Sequence, residues 1–171
     1  SDCLVGSEMC IRDRISCCYI TCFIYICLFR KVSSKWSNSW ERERLMKVSV
    51  NKAKRTLLSN RRRGYTLPTN NKLYPAQWNW DSAFIALGYS YFNLNFALKE
   101  INTLLDGQWK DGMVPHILFH NTKTNYYPNY TAWNCGNKIH SSGITQPPIL
   151  ATVLKEILDK NKINNVQLLN C

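Results

Sequence analysis

The sequence predicts an all-α domain of helices packed in antiparallel pairs. Three observations carry this. Apolar residues recur at helical spacing in four segments downstream of Met46. Two of those segments follow one another with almost no chain between them, which makes them antiparallel neighbours. No stretch shows the strict alternation of a half-buried strand.

Ser49–Asn60 is the first expected helix, with Ala53, Leu57 and Leu58 on one face and Asn60 as its stop. Arg61–Tyr74 follows as a loop, punctuated by Gly64, Pro68 and Asn70–Asn71. Trp80–Phe92 carries Phe84, Leu87, Gly88 and Tyr91 at i, i+3, i+4 and i+7, which predicts a buried helical face. Asp81 falls at its start, where a carboxylate meets free backbone N–H groups and the positive end of the helix dipole. Asn93 is a cap for a further helix over Leu94–Trp109. Ala97, Ile101, Leu104, Leu105 and Trp109 are expected inside it, and Lys99, Glu100 and Asn102 outside. Asp111–Gly112 marks a turn, and Pro115 blocks more helix.

His116–His140 has no helical period. A stretch of that length with Tyr126, Tyr127, Tyr130 and Trp133 is expected to be a structured loop. Thr145 is the expected cap of a last helix opened by Pro147–Pro148, with Ile149, Leu150, Val153, Leu154, Ile157 and Leu158 along its face. The helices are apolar over broad faces, as inner helices of something larger would be.

Composition narrows the function classes. Apolar residues make up 45% of the 171 and charged residues 19%, which excludes a disordered chain. The net charge is +11, with basic residues bunched at Lys52, Lys54, Arg55 and Arg61–Arg63. That run lacks interleaved aromatics and a second basic patch, so a solvated helix end is the expectation and nucleic acid is not expected as a partner. Paired CxxC spacing is absent, so no metal site is expected.

The chemistry concentrates in Tyr74-Pro75-Ala76-Gln77-Trp78-Asn79-Trp80-Asp81, with Gln108–Trp109 and Gln146 repeating it. Flat C–H faces of a sugar stack on Trp and Tyr, while Asp, Asn and Gln bind its hydroxyls in pairs. Single aromatics of this kind are more often core, and their polar ends satisfied there. The whole run is better explained by a site.

Tyr74–Leu87 (YPAQWNWDSAFIAL), Gln108–His116 (QWKDGMVPH) and Ser142–Ala151 (SGITQPPILA) resemble three consecutive motifs of glycoside hydrolase family 63. The branch they resemble is the bacterial type that includes the mannosylglycerate and glucosylglycerate hydrolases, and the likeness spans about Lys52–Leu158. It implies the N-terminal portion of an (α/α)6 toroid and an inverting, exo-acting α-glycosidase that takes a small sugar or glycoside and needs no cofactor. It implies that Asp81 and Trp80 line the subsite for the terminal sugar, with Tyr74 and Trp78 close by and Gln146 contributing. Gln108 and His116 lie in the second motif as further candidates, although a lone histidine is more often a structural hydrogen-bonder.

Inversion needs a carboxylic acid and a carboxylate base roughly 6.5–9.5 Å apart. From Met46 on, the carboxylates are Asp81, Glu100, Asp106, Asp111, Glu156 and Asp159, and only Asp81 sits in the aromatic run. In the family the acid and base lie well past the QPP motif. The expectation is therefore a fragment that carries part of the sugar-binding wall, with both catalytic groups C-terminal to Cys171.

Residues 1–45 are expected to be a non-native leader and 46–171 part of the catalytic domain. Ser1–Arg14 (SDCLVGSEMCIRDR) resembles a translated sequencing-adapter read. Ile15–Phe29 is uncharged and flanked by Arg14 and Arg30–Lys31, but is shorter than the roughly 17–20 residues that span a bilayer. Without that stretch, a cytoplasmic protein is the default. Two other functions compete: a carbohydrate-binding helical domain that cleaves nothing, and a processing α-glucosidase of the secretory pathway anchored through Ile15–Phe29. The Asn129-Tyr130-Thr131 acceptor triplet adds little to the last, since such triplets arise often by chance.

Overall fold

The structure, a computed structural model, describes residues 39–69, 73–136 and 138–162. The leader expected over Ser1–Arg14 and the apolar stretch Ile15–Phe29 lie outside the described residues. By contact the chain divides into two units, one up to Ser59 and one from Asn60 onward.

The first unit is described by helix α1, Ser39–Asn60, which starts ten residues before the expected Ser49. Trp40, Met46 and Val48 are exposed on it. Glu43 and Lys47 form an i,i+4 ion pair at 3.2 Å, both largely in solvent, which contributes only a few tenths of a kcal/mol, about 0.3–0.5.

The second unit holds the remaining elements. A tight loop opens it, with Arg61 and Thr66 bridged and Leu67 N–H bonded to Asn60 O. Strand β1 (Gln77–Trp78) runs directly into helix α2 (Asn79–Ser90), and helix α3 (Leu94–Leu105) returns beside it. Strand β2 (Ile117–Phe119), the short helix α4 (Tyr130–Trp133), strands β3 (Cys135–Gly136) and β4 (His140–Ser141), and helix α5 (Leu150–Asn161) complete the order. The four strands make one antiparallel sheet in the order β1-β2-β4-β3. No strand alternation predicted that sheet, because its strands are two or three residues long.

Helix α3 forms as its sequence dictates. Asn93 Oδ1 accepts from Phe96 N–H at 3.1 Å and satisfies one of the four free donors of the first turn. Ala97, Ile101 and Leu104 are buried, while Lys99 and Asn102 are exposed. Glu100 departs from expectation: it is 2% exposed, for reasons given below. The helix also stops at Leu105, so Trp109 is not part of it. Gly107 N–H and Gln108 N–H close a turn on Leu104 O and Leu105 O.

Helix α2 is buried more widely than its predicted face. It packs against α3 and against α5, and so Ala83, Ile85, Ala86, Leu87 and Tyr89 are all inside. The small residues Ser82, Ala83 and Ala86 let its backbone approach its neighbours. Tyr91, expected on the buried face, lies just past the helix and is exposed, with Lys160 Nζ 3.1 Å from its ring centroid.

Helix α5 begins at Leu150, after both prolines, and Ile149 in its cap position offers no side-chain bond. Thr145 does not cap it. Its hydroxyl is committed elsewhere, donating to Val114 O at 2.7 Å. Val153 and Ile157 form the buried stripe. Asn129 Oδ1 caps α4 by accepting from Ala132 N–H at 3.0 Å. Among the described residues, no helix is long and apolar enough to cross a membrane.

Gly107 is needed for a close approach. A Cβ there would collide with the side chain of Leu118, which is fully buried in β2. Gly107→Ala is expected to cost about 1–3 kcal/mol through overpacking, measured as a shift in urea midpoint. The same change in a Leu118→Ala background should cost much less, because the methyl then fills the space vacated. Equal costs in both backgrounds would contradict this contact as the cause.

Candidate functional site

The three motif segments converge at the start of α2. Its N-cap residue, Trp78, makes no side-chain cap, so the first N–H groups of the helix need partners from elsewhere. Asn79 N–H donates to His116 O at 3.0 Å, in the second segment. Trp80 N–H donates to the side-chain Oε1 of Gln146 at 3.0 Å, in the third. Asn79 Nδ2 reaches Val114 O at 3.2 Å, and the Thr145 hydroxyl donates to that same carbonyl. His116 N–H donates to Ile144 O at 2.7 Å. Ser142 closes the set, its hydroxyl accepting from Ile117 N–H and its own N–H donating to Ile117 O, both at 3.1 Å.

On this frame Trp80 is 41% exposed and Asp81, one residue on, is half-buried. The two stand at the first turn of α2, with the Gln146 amide oxygen on the Trp80 backbone N–H. Trp78 points the other way, into the core. It is 5% exposed and packs with Ala76, Ile117 and Phe119. Tyr74 and Tyr126 meet its ring edge-on, at centroid distances of 5.1 and 5.5 Å. Such pairs add about 0.5–1.5 kcal/mol beyond the area they bury.

The other candidates are placed differently. His116 contributes its backbone to the frame, and its Nδ1 is buried with no hydrogen-bond partner among the described residues. Burial pushes its pKa down. Gln108 is exposed and donates to Gly112 O at 2.8 Å, stapling the Asp111–Gly112 turn; no described contact joins it to Trp80 or Asp81. Trp109 Nε1–H donates to Ser141 Oγ at 3.1 Å. Among the described residues, no group of three or more His, Cys, Asp or Glu is placed to hold a metal.

Beneath the corner lies a polar network that the sequence reading missed. Glu100 Oε1 accepts from Ser82 Oγ at 2.7 Å and from Gln77 Nε2 at 3.2 Å. Gln77 Nε2 also donates to Glu100 O, and Gln77 is fully buried. With its amide nitrogen turned to Glu100, Gln77 offers Oε1 to His120, whose Nε2–H donates at 2.7 Å. His120 stacks on Tyr65, with ring centroids 4.2 Å apart. Thr66 bonds to Glu100 through side chain and backbone, and its hydroxyl meets Tyr89 Oη at 3.1 Å. A helical signal was available: Glu100 lies three residues after Ala97 and four before Leu104, on the buried stripe.

Burial raises the Glu100 pKa to about 7, against hydrogen bonds from Ser82, Thr66 and Gln77 that pull it down. Burial lowers His120 to about 4, opposed by the Asp106 charge. Burial, with a smaller push from Glu100, also raises Tyr65 and Tyr89.

A mainly helical fold whose aromatic, amide and carboxylate segments meet at one helix start defines part of a glycoside hydrolase domain. The family model for the mannosylglycerate hydrolase MGH1-like glycoside hydrolase domain matches residues 74–169, more than half of the chain. The chain belongs to that family. It is 42% identical over 119 residues to the mannosylglycerate hydrolase MGH2 of Selaginella moellendorffii, covering 68% of this chain and 24% of that relative. It also matches crystal structures of a family 63 mannosylglycerate hydrolase from Thermus thermophilus. The complex with Tris and D-glycerate aligns at a TM-score of 0.61 and 42% identity, over 69% of this chain and 28% of that one. The complex with glucose aligns at 0.55 and 40%, over 70% and 28%. The chain thus spans about a quarter of the length of the curated relatives it matches.

The network has opposed pH signatures. Unfolded, Glu100 loses its proton near pH 4.5; folded, it does so near 7. Between these values the folded state holds the extra proton, and stability falls as pH rises, by about 3 kcal/mol in all. For His120 the order reverses: the unfolded ring keeps its proton to about 6.5 and the folded ring only to about 4, so stability rises with pH over that window. Glu100→Gln is therefore expected to have a urea midpoint that rises from pH 4.5 to 6.5. His120→Gln should have one that falls from pH 4.5 to 7. Parallel pH profiles for the two variants would contradict these assignments.

Proposed function

We propose that this chain forms one wall of the sugar subsite of an inverting, exo-acting α-glycosidase of the mannosylglycerate hydrolase kind. The substrate is a small glycoside with a terminal α-glucosyl or α-mannosyl unit. The observation that carries this is the meeting of all three motif segments at the start of α2, with Trp80 exposed beside Asp81 and the Gln146 amide bonded to the helix. Trp80 offers a face for sugar C–H groups. The Asp81 carboxylate and the Gln146 amide take hydroxyls in charge-assisted and neutral hydrogen bonds. Tyr74 and Trp78 support the wall from the aromatic cluster beneath, and the second segment, which carries Gln108 and His116, braces it through the His116 carbonyl. The glucose and D-glycerate held by the Thermus enzyme support a substrate of this class.

In this reading the acid and base that perform inversion are not among the carboxylates of the chain. Glu100 is sealed from solvent and occupied by Ser82, Gln77 and Thr66. Asp106 and Asp111 flank an exposed turn, Asp159 pairs with Lys155 on the outer face of α5, and Glu156 is exposed on the same helix. Asp81, beside Trp80, is assigned to hold a hydroxyl. Residues 46–171 are then part of the catalytic domain, a portion of the helical toroid that the resemblance implies, and the protein works in the cytoplasm.

The chain by itself is expected to show no turnover of aryl α-glucosides or α-mannosides. It should bind glucose or mannose weakly, and Asp81→Asn should weaken that binding about 10- to 100-fold, the worth of one hydrogen bond to a charged group. Turnover by the pure chain that disappears in Asp81→Asn would overturn the assignment of Asp81 as a binding group.

A further inference from the structure

Glu100 poses a physical problem. A carboxyl group 2% exposed, with no Lys or Arg ion-paired to it among the described residues, is costly relative to an apolar side chain, because burial strips its hydration and no cation replaces it. Ile101 and Leu104 on the same stripe show what packing alone would select. What an apolar residue could not do is join chain segments. One oxygen of Glu100 accepts from Gln77 and from Ser82, the residues on either side of Trp78-Asn79-Trp80-Asp81. The Gln77 amide reaches the Glu100 backbone carbonyl as well, and Thr66 ties in the loop that opens the unit. The four-residue corner is thus gripped at both ends by a single group on the neighbouring helix.

We propose that Glu100 is a positioning residue for the sugar subsite: by tying Gln77 to Ser82 it holds the Trp78–Asp81 corner in the geometry that binds the sugar ring. The functional half of this rests on the subsite reading above; the structural half does not. Glu100 touches no substrate and acts through the corner. Strand β1 contributes two residues and α2 starts with no side-chain cap of its own, so the corner has little internal rigidity. Anchors from outside set where the Trp80 ring and the Asp81 carboxylate stand.

The test combines amide hydrogen exchange with sugar binding, read by tryptophan emission on addition of glucose or mannose. It compares the wild-type chain, Glu100→Gln, Glu100→Ala and, as a control for lost stability, Ile157→Ala, which empties a buried position on α5. Glu100→Gln keeps an oxygen between Gln77 and Ser82 and should retain both corner protection and affinity. Glu100→Ala should speed exchange at the Trp80–Ala83 amides about tenfold or more and weaken sugar binding about tenfold, with α5 amides less affected. Ile157→Ala should show the reverse pattern. Should Glu100→Ala fail to fold, Ser82→Ala removes one arm of the grip and should loosen the same amides to a lesser degree. Unchanged corner exchange in Glu100→Ala or in Ser82→Ala, or loosening spread evenly over α2, α3 and α5, would overturn the proposal. If the wild-type chain binds no sugar, the subsite reading falls, and the exchange pattern still decides whether Glu100 grips the corner.

Discussion

An α-helix leaves its first four N–H groups without partners, and the start of α2 answers that requirement from far along the chain. Trp78 makes no side-chain cap. The carbonyl of His116 and the side chain of Gln146, 66 residues beyond Trp80, supply the missing acceptors. Each of these bonds is modest on its own, roughly 1 kcal/mol. Left unmade near the core they would cost more, so the requirement decides where the second and third segments must lie. The sheet order, the placing of α5 after Pro147–Pro148, and the exposure of Trp80 follow from it. A helix start that is capped from a distance is also a place where a polar ligand group can be met, because the positive end of the helix dipole is there.

How far the sequence revealed this differs by element. Helix α3 was legible because its cap and its stripe are both local: Asn93 stands three residues before the N–H it accepts from, and Ala97, Ile101 and Leu104 repeat at helical spacing. Helix α2 was legible as a helix but not in its face. It is covered on two sides, so its buried residues wrap around it, and a single-stripe reading placed Tyr91 inside. The sheet left no periodic trace, because two-residue strands cannot show alternation. Ser141 and Ser142, fully buried there, are polar for hydrogen-bonding reasons that only the pairing reveals.

The candidate segments were legible by composition and order, and the polar network beneath them was not. Tyr74, Trp78, Trp80, Asp81 and Gln146 stand out together in the sequence, with Gln108 and His116 beside them; the structure joins the Gln146 side chain to Trp80 N–H and packs Trp78 into the core with Tyr74 against it. Glu100 was placed outside on charge alone, against its position on the apolar stripe. Its partners Gln77 and Ser82 stand 23 and 18 residues away in sequence, and Thr66 farther still, so nothing local announces the network. Trp78 shows the opposite case. Its neighbours in sequence suggest a sugar platform, while the structure packs it between Tyr74 and Tyr126 as core. The strand–helix junction turns successive side chains to different sides: Trp78 inward and Trp80 outward.

The most direct measurement is an amide and indole ¹H–¹⁵N titration of the chain with glucose and with mannose. Saturable shifts are expected at the Trp80 indole N–H, the Asp81 amide and the Gln146 side-chain amide, with α1 unmoved and the Trp78 indole moving little. Shifts centred on α1 or α5, or a saturating response at the Trp78 indole with Trp80 unchanged, would contradict the assignment of this corner as the place where a sugar is held.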